Sequence, residues 1–217
     1  MLMLFFICCI NLVISFTNAR SCGKIWCEAK SIGGWLRVLV WCGAVQSAIG
    51  FTSVYMVIAA FVLTSIGKLD AQDLQYLSSF VYVMIIIPAL GTGFIIMIHS
   101  WINFAREKSL GNFSVAAWNT FAEGLNAYRA YQSFGAAFEV VGKLFSGGSG
   151  RNRKNNANII MLGIFVLLLG ILTTATIIMR YAGTLEIPES VREKFEHKEE
   201  EKKKNVMERP QMRWSDL

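Results

Sequence analysis

VLVWCGAVQSAIGFTSVYMVIAAFVLTSIG, residues Val38–Gly67, carries no Asp, Glu, Lys, Arg or His along its whole length. Two further stretches read the same way, LQYLSSFVYVMIIIPALGTGFIIMIHSWIN (Leu74–Asn103) and NIIMLGIFVLLLGILTTATIIM (Asn158–Met179), and only His99 interrupts them. A helix crosses the roughly 30 Å hydrocarbon core of a bilayer with about 20 apolar residues, so each run is long enough. An unpaired backbone amide in hydrocarbon costs several kcal/mol, which forces such runs to be helical. The fold class is therefore an all-α membrane protein with three transmembrane helices.

Composition agrees. The chain has 217 residues, 54% of them hydrophobic, with a mean hydropathy of +0.45. Soluble domains lie nearer 45–50% apolar, as an approximate average. Net charge is +6, but the basic residues flank the apolar runs, at Arg37, Arg106, Lys108, Arg151, Arg153, Lys154 and Arg180. There they meet lipid headgroups and set orientation. No aromatic–basic interleaving suggests a base-stacking surface, so the expected partners are the bilayer and other membrane subunits or copies of the chain, with no nucleic acid.

The first segment, residues 1–19, is an apolar leader ending in Thr17-Asn18-Ala19, which suits a cleaved signal peptide. Its start carries no Lys or Arg, and Arg20 and Lys24 follow it, which suits an uncleaved anchor equally well. Residues 20–34 then form a short polar segment. If that segment is exported, Cys22 and Cys27 can close a small disulfide loop. Cys8, Cys9 and Cys42 read as passive apolar residues.

Residues 35–103 form a helical hairpin of two spans, joined by the connector Lys68–Asp73. On the first span Gly43, Ser47 and Gly50 share one face, and on the third Gly163 and Gly170 do. Small faces of this kind let helix backbones approach closely in lipid, so these five are the expected helix-packing positions. Pro88 lies mid-span with Gly91 and Gly93, a kink and a candidate hinge.

Residues 104–157 hold one amphipathic helix and a basic Gly/Ser linker. Phe121 and Tyr128, and Tyr131, Phe138 and Phe145, recur every seven residues as an aromatic stripe. Glu123, Arg129, Glu139 and Lys143 make a lipid crossing expensive. The expected placement is therefore at the interface, or against a partner. Gly124, Gly135 and Gly142 suggest close packing against another chain. Residues 158–180 form the third span, and residues 181–217 a charged tail whose Glu199–Lys203 and Glu200–Lys204 pairs favour a solvated helix.

Orientation is in conflict. A cleaved leader exports residues 104–157, which hold seven Lys and Arg, against the positive-inside tendency. Keeping the leader as a fourth span reverses every assignment and exports the tail.

No catalytic constellation emerges. There is no phosphate loop, no H-E-x-x-H, no G-x-S-x-G and no C-x-x-C. No cofactor, metal or catalytic residue is expected, and His99 beside Trp101 reads as interfacial. None of the three runs contains an acid, which counts against a proton- or ion-coupled transporter. The leader followed by a close-packed hairpin resembles the layout of small conjugation and secretion-system membrane subunits over about the first hundred residues. The function expected is a non-enzymatic, multi-pass subunit of a larger membrane assembly, a secretion- or conjugation-type or other envelope-spanning transport complex. The alternative is a homo-oligomeric channel lined by Gln46, Ser47, Thr52 and Ser53.

Overall fold

The computed structural model describes residues 2–32, 34–146 and 150–184. The tail, with its expected helix and ion pairs, and the Gly147–Ser149 part of the linker lie outside them. Among the described residues every regular element is helical: α1 (Leu2–Lys24), α2 (Trp26–Ile32), α3 (Gly34–Ser65), α4 (Ala71–Arg106), α5 (Leu110–Phe145) and α6 (Gly150–Tyr181). Four of them are long and apolar enough to cross a membrane, over Phe5–Lys24, Gly34–Ser65, Ala71–Arg106 and Asn156–Tyr181.

The bundle is turned outward. Phe5, Phe6, Ile87, Phe94, Phe165, Leu172 and Met179 all stand exposed, whereas small and hydroxyl residues such as Ala19, Ser47, Thr52 and Ala116 are among the most buried, beside a few large ones such as Leu77 and Phe80. Water would drive large apolar side chains inward; a lipid surround leaves close backbone approach as the packing force.

Local signals set the boundaries. Gly67 adopts φ +68° after α3, and the Lys68 amide donates back to the Leu63 carbonyl at 2.9 Å, closing the helix with the left-handed residue that glycine tolerates best. Asp70 caps α4 by accepting the Asp73 amide at 2.7 Å, and Ser109 caps α5 by accepting the Asn112 amide at 3.1 Å.

Helix α1 runs unbroken past Ala19 to Lys24, and α2 takes up Trp26–Ile32, so the expected polar segment is mostly helical. Ser15, Ala19 and Cys22 repeat the spacing of Gly43, Ser47 and Gly50, and the two stripes meet antiparallel. A Cβ on Gly50 would run into Ser15, and one on Gly43 would lie 2.7 Å from the Cys22 Sγ. Between these contacts Ala19 and Ser47 are both 0% exposed. At the far end of α1, Gly23 abuts the Ile178 carbonyl, and the Arg20 guanidinium lies 5.2 Å from the Tyr181 ring centre.

Helix α5 runs back along the whole of α4. Phe104 and Phe113 are 5.5 Å apart beside the turn. The Trp101 indole donates to Thr120 Oγ1 at 2.8 Å. At the other end Leu77, Phe80, Val81 and Leu144 share one cluster with Ile159 of α6. The side of α5 that packs inward is Ala116, Glu123, Ala130, Ala137 and Leu144, a seven-residue seam of mainly small side chains. The aromatic stripe faces the other way.

Candidate functional site

Three helices bring polar side chains to one place. From α3, Gln46 Nε2 donates to the Ala89 carbonyl at 2.9 Å and to Thr92 Oγ1 at 2.8 Å, both on α4. Thr92 Oγ1 in turn donates to the Pro88 carbonyl. From α5, the carboxyl of Glu123 enters the notch left by Gly93. A Cβ there would overlap the carboxyl oxygen, lie 2.9 Å from Glu123 Cδ and 3.5 Å from Gln46 Nε2. Glu123 is 9% exposed and the only buried acid among the described residues; its Oε2 has no hydrogen-bond partner there.

An acid lying outside the apolar runs is thus carried by tertiary packing onto the middle of one of them. The absence of acids from the runs therefore loses its weight against ion-coupled chemistry. A buried carboxyl with one empty oxygen costs about 1–3 kcal/mol as an unsatisfied group. That cost is tolerable only where the surrounding packing fixes the side chain.

Helix α5 links this junction to the outer surface. Opposite the seam, Phe121, Tyr128, Tyr131, Phe138 and Phe145 are exposed, Tyr131 by 86%. Arg129, Gln132, Glu139 and Lys143 are exposed too, with Lys143 Nζ paired to Glu139 at 2.7 Å. A Cβ on Gly124, Gly135 or Gly142 would meet nothing within 4 Å. These glycines are therefore not demanded by any contact within the chain.

The other expected positions sit mostly inside the bundle. Gly163 abuts the Phe80 ring, and Gly170 abuts Thr52 and the Ala48 carbonyl. Together with Gly43, Ser47 and Gly50, they form contacts inside one chain. Helix α4 continues through Pro88, from Ala71 to Arg106. Gly91 has open space around it, unlike Gly93. The expected pore-lining set lies wholly on α3. Ser47 and Thr52 are buried, Gln46 is bonded to α4, and Ser53 donates to the Ile49 carbonyl.

The Cys22–Cys27 pairing is corrected. Both are free thiols, because α1 buries Cys22 against Gly43 while Cys27 sits on α2, its Sγ 3.5 Å from where a Cβ on Gly183 would lie. His99 engages Asn103 through Nδ1 at 3.2 Å, and its ring lies 6.3 Å from that of Trp35.

Compared with known protein families, curated proteins and solved structures, the chain matches none.

Proposed function

We propose that this chain is an integral, multi-pass, non-enzymatic subunit of a larger membrane assembly, and that the outer face of α5 is the surface it offers to its neighbours. One observation carries the reading. Helix α5 lies along the full length of α4, a helix apolar enough to span, yet leaves Arg129 and Gln132 exposed near the level of the α4 midpoint. Where α4 crosses, α5 crosses with it. A charged side chain facing lipid near the bilayer centre costs at least about 2.5–3.5 kcal/mol, and a protein neighbour removes that cost.

On this reading the orientation conflict also eases. With α1 retained and α5 crossing, the chain passes five times. Arg20, Lys24, Lys30, Arg37, Arg106, Lys108 and Arg180 then gather at one membrane surface, from which the tail also leaves. The opposite surface receives Lys68, Lys143, Arg151, Arg153 and Lys154. The positive-inside tendency makes the first surface cytoplasmic. The narrower proposal, an assembly that moves macromolecules across an envelope, rests on the layout of the first hundred residues.

Extraction from native membrane in a mild detergent, with mass by light scattering, tests the reading. The expected particle exceeds the single 24.3 kDa chain, and replacing Tyr128 and Tyr131 with Ala shrinks it without lowering the unfolding midpoint. A stable single-chain particle would overturn the proposal. The channel reading is separated by reconstituting the pure protein in planar bilayers, where an assembly subunit conducts nothing.

A further inference from the structure

We propose that the cavity where α2 folds back on the start of α3 binds the phosphate of an anionic phospholipid headgroup. The cavity is about 250 Å³ and is lined by Trp26, Ala29, Lys30, Arg37, Val40 and Trp41. It is built by a turn. Gly34 adopts φ +56°, a left-handed conformation that glycine takes without strain, and α2 thereby reverses onto α3. Lys30 and Arg37 are brought to one rim, where Arg37 Nη2 donates to the Lys30 carbonyl at 2.8 Å. A guanidinium has five N–H donors, so this bond fixes the side chain and leaves most of them for a ligand.

The walls decide between a lipid and a free ion. Ala29 and Val40 are buried beneath the cavity, and the indoles of Trp26 and Trp41 stand edge-to-face, their centres 5.2 Å apart. Inorganic phosphate has nothing to place against two indoles, whereas the glycerol and upper acyl chain of a phospholipid do. On the reading above, on which this inference rests, α3 enters the membrane here, so the cavity lies at headgroup level, where tryptophans concentrate. Arg20, Lys24, Arg106, Lys108 and Arg180 belong to the same end of the bundle, and each basic group near a membrane surface adds about 1 kcal/mol of attraction to anionic lipid.

The test uses the full chain in nanodiscs of phosphatidylcholine, with or without phosphatidylglycerol. Phosphatidylglycerol should raise the unfolding midpoint of the unaltered protein. The double variant Lys30→Gln/Arg37→Gln should lose most of that increment. Lys24→Gln/Lys108→Gln, which removes equal charge at the same end outside the cavity, should keep the greater part of it. Millimolar inorganic phosphate added to phosphatidylcholine discs should have no effect.

An undiminished increment in the Lys30/Arg37 variant would overturn the proposal, as would full replacement of the lipid effect by inorganic phosphate. Native mass spectrometry of the unaltered protein from mixed-lipid discs gives a reading free of folding defects. Preferential retention of phosphatidylglycerol supports the site, and equal retention of both lipids sinks it. A chain that fails to enter the discs at all contradicts the membrane reading, a separate result.

Discussion

Gly91 and Gly93 stand two residues apart on α4, and converting each to alanine isolates what the new methyl group meets. Either change recovers about 1 kcal/mol of helix propensity. At Gly91 the methyl has nothing within 4 Å, so Gly91→Ala is expected to stabilise the protein by up to about 1 kcal/mol. At Gly93 it overlaps the Glu123 carboxyl and reaches only ordinary van der Waals contact with Gln46 Nε2, 3.5 Å away. Overpacking of a fitted contact costs about 1–3 kcal/mol, here borne by the Glu123 carboxyl. Gly93→Ala should therefore be up to about 2 kcal/mol less stable than wild type after the propensity gain. Reversible SDS unfolding in mixed micelles, followed by tryptophan fluorescence, measures both variants. Adding Glu123→Ala empties the notch, so the double variant Gly93→Ala/Glu123→Ala should be no less stable than Glu123→Ala alone, a coupling visible in a double-mutant cycle. Equal stability of Gly91→Ala and Gly93→Ala would refute the packing argument and return both glycines to the role of hinge.

Gly50→Leu should destabilise the chain itself, because the side chain enters the space held by Ser15; limited proteolysis should then cut α1 faster, and unaltered cutting would contradict the α1–α3 contact. Maleimide labelling should modify the exposed Cys27 and spare the buried Cys22. With a membrane-impermeant reagent on sealed, right-side-out vesicles, Cys27 should stay unlabelled until the membrane is opened, and immediate labelling would reverse the assigned orientation.

The apolar runs were legible because a span announces itself by composition alone, with no knowledge of what it touches. The role of α1 was legible in principle. Ser15, Ala19 and Cys22 copy the spacing of Gly43, Ser47 and Gly50, but that match matters only once the two helices are known to be neighbours. Helix α5 was harder. Its aromatics at Phe121, Tyr128, Tyr131, Phe138 and Phe145 are the louder signal, and in water a stripe of that kind would be the buried one. The structure buries the quieter one, Ala116, Glu123, Ala130, Ala137 and Leu144, since small side chains bring α5 closest to α4. Both stripes repeat every seven residues; sequence period gives the stripe, and the surrounding solvent decides which stripe turns inward.

Burying the small-residue stripe also buries Glu123. Reading the spans one at a time finds no acid in any of them, because the acid sits on a helix whose composition argues against crossing. Packing α5 on α4 sets the carboxyl beside Gln46 and Gly93, with Leu77, Phe80 and Val81 of α4 buried further along the same interface. A junction made of one carboxyl, one amide and one hydroxyl on three separate helices fixes register. Sliding α5 by one residue would swing Glu123 off the Gly93 notch and present Gly124 in its place. Small-residue seams tolerate such slips, since alanines differ little from one another, and a single polar group with one fitting notch does not. The polar junction thus supplies the specificity that the alanine seam lacks, and it holds the outer face of α5 at one fixed angle to whatever it meets.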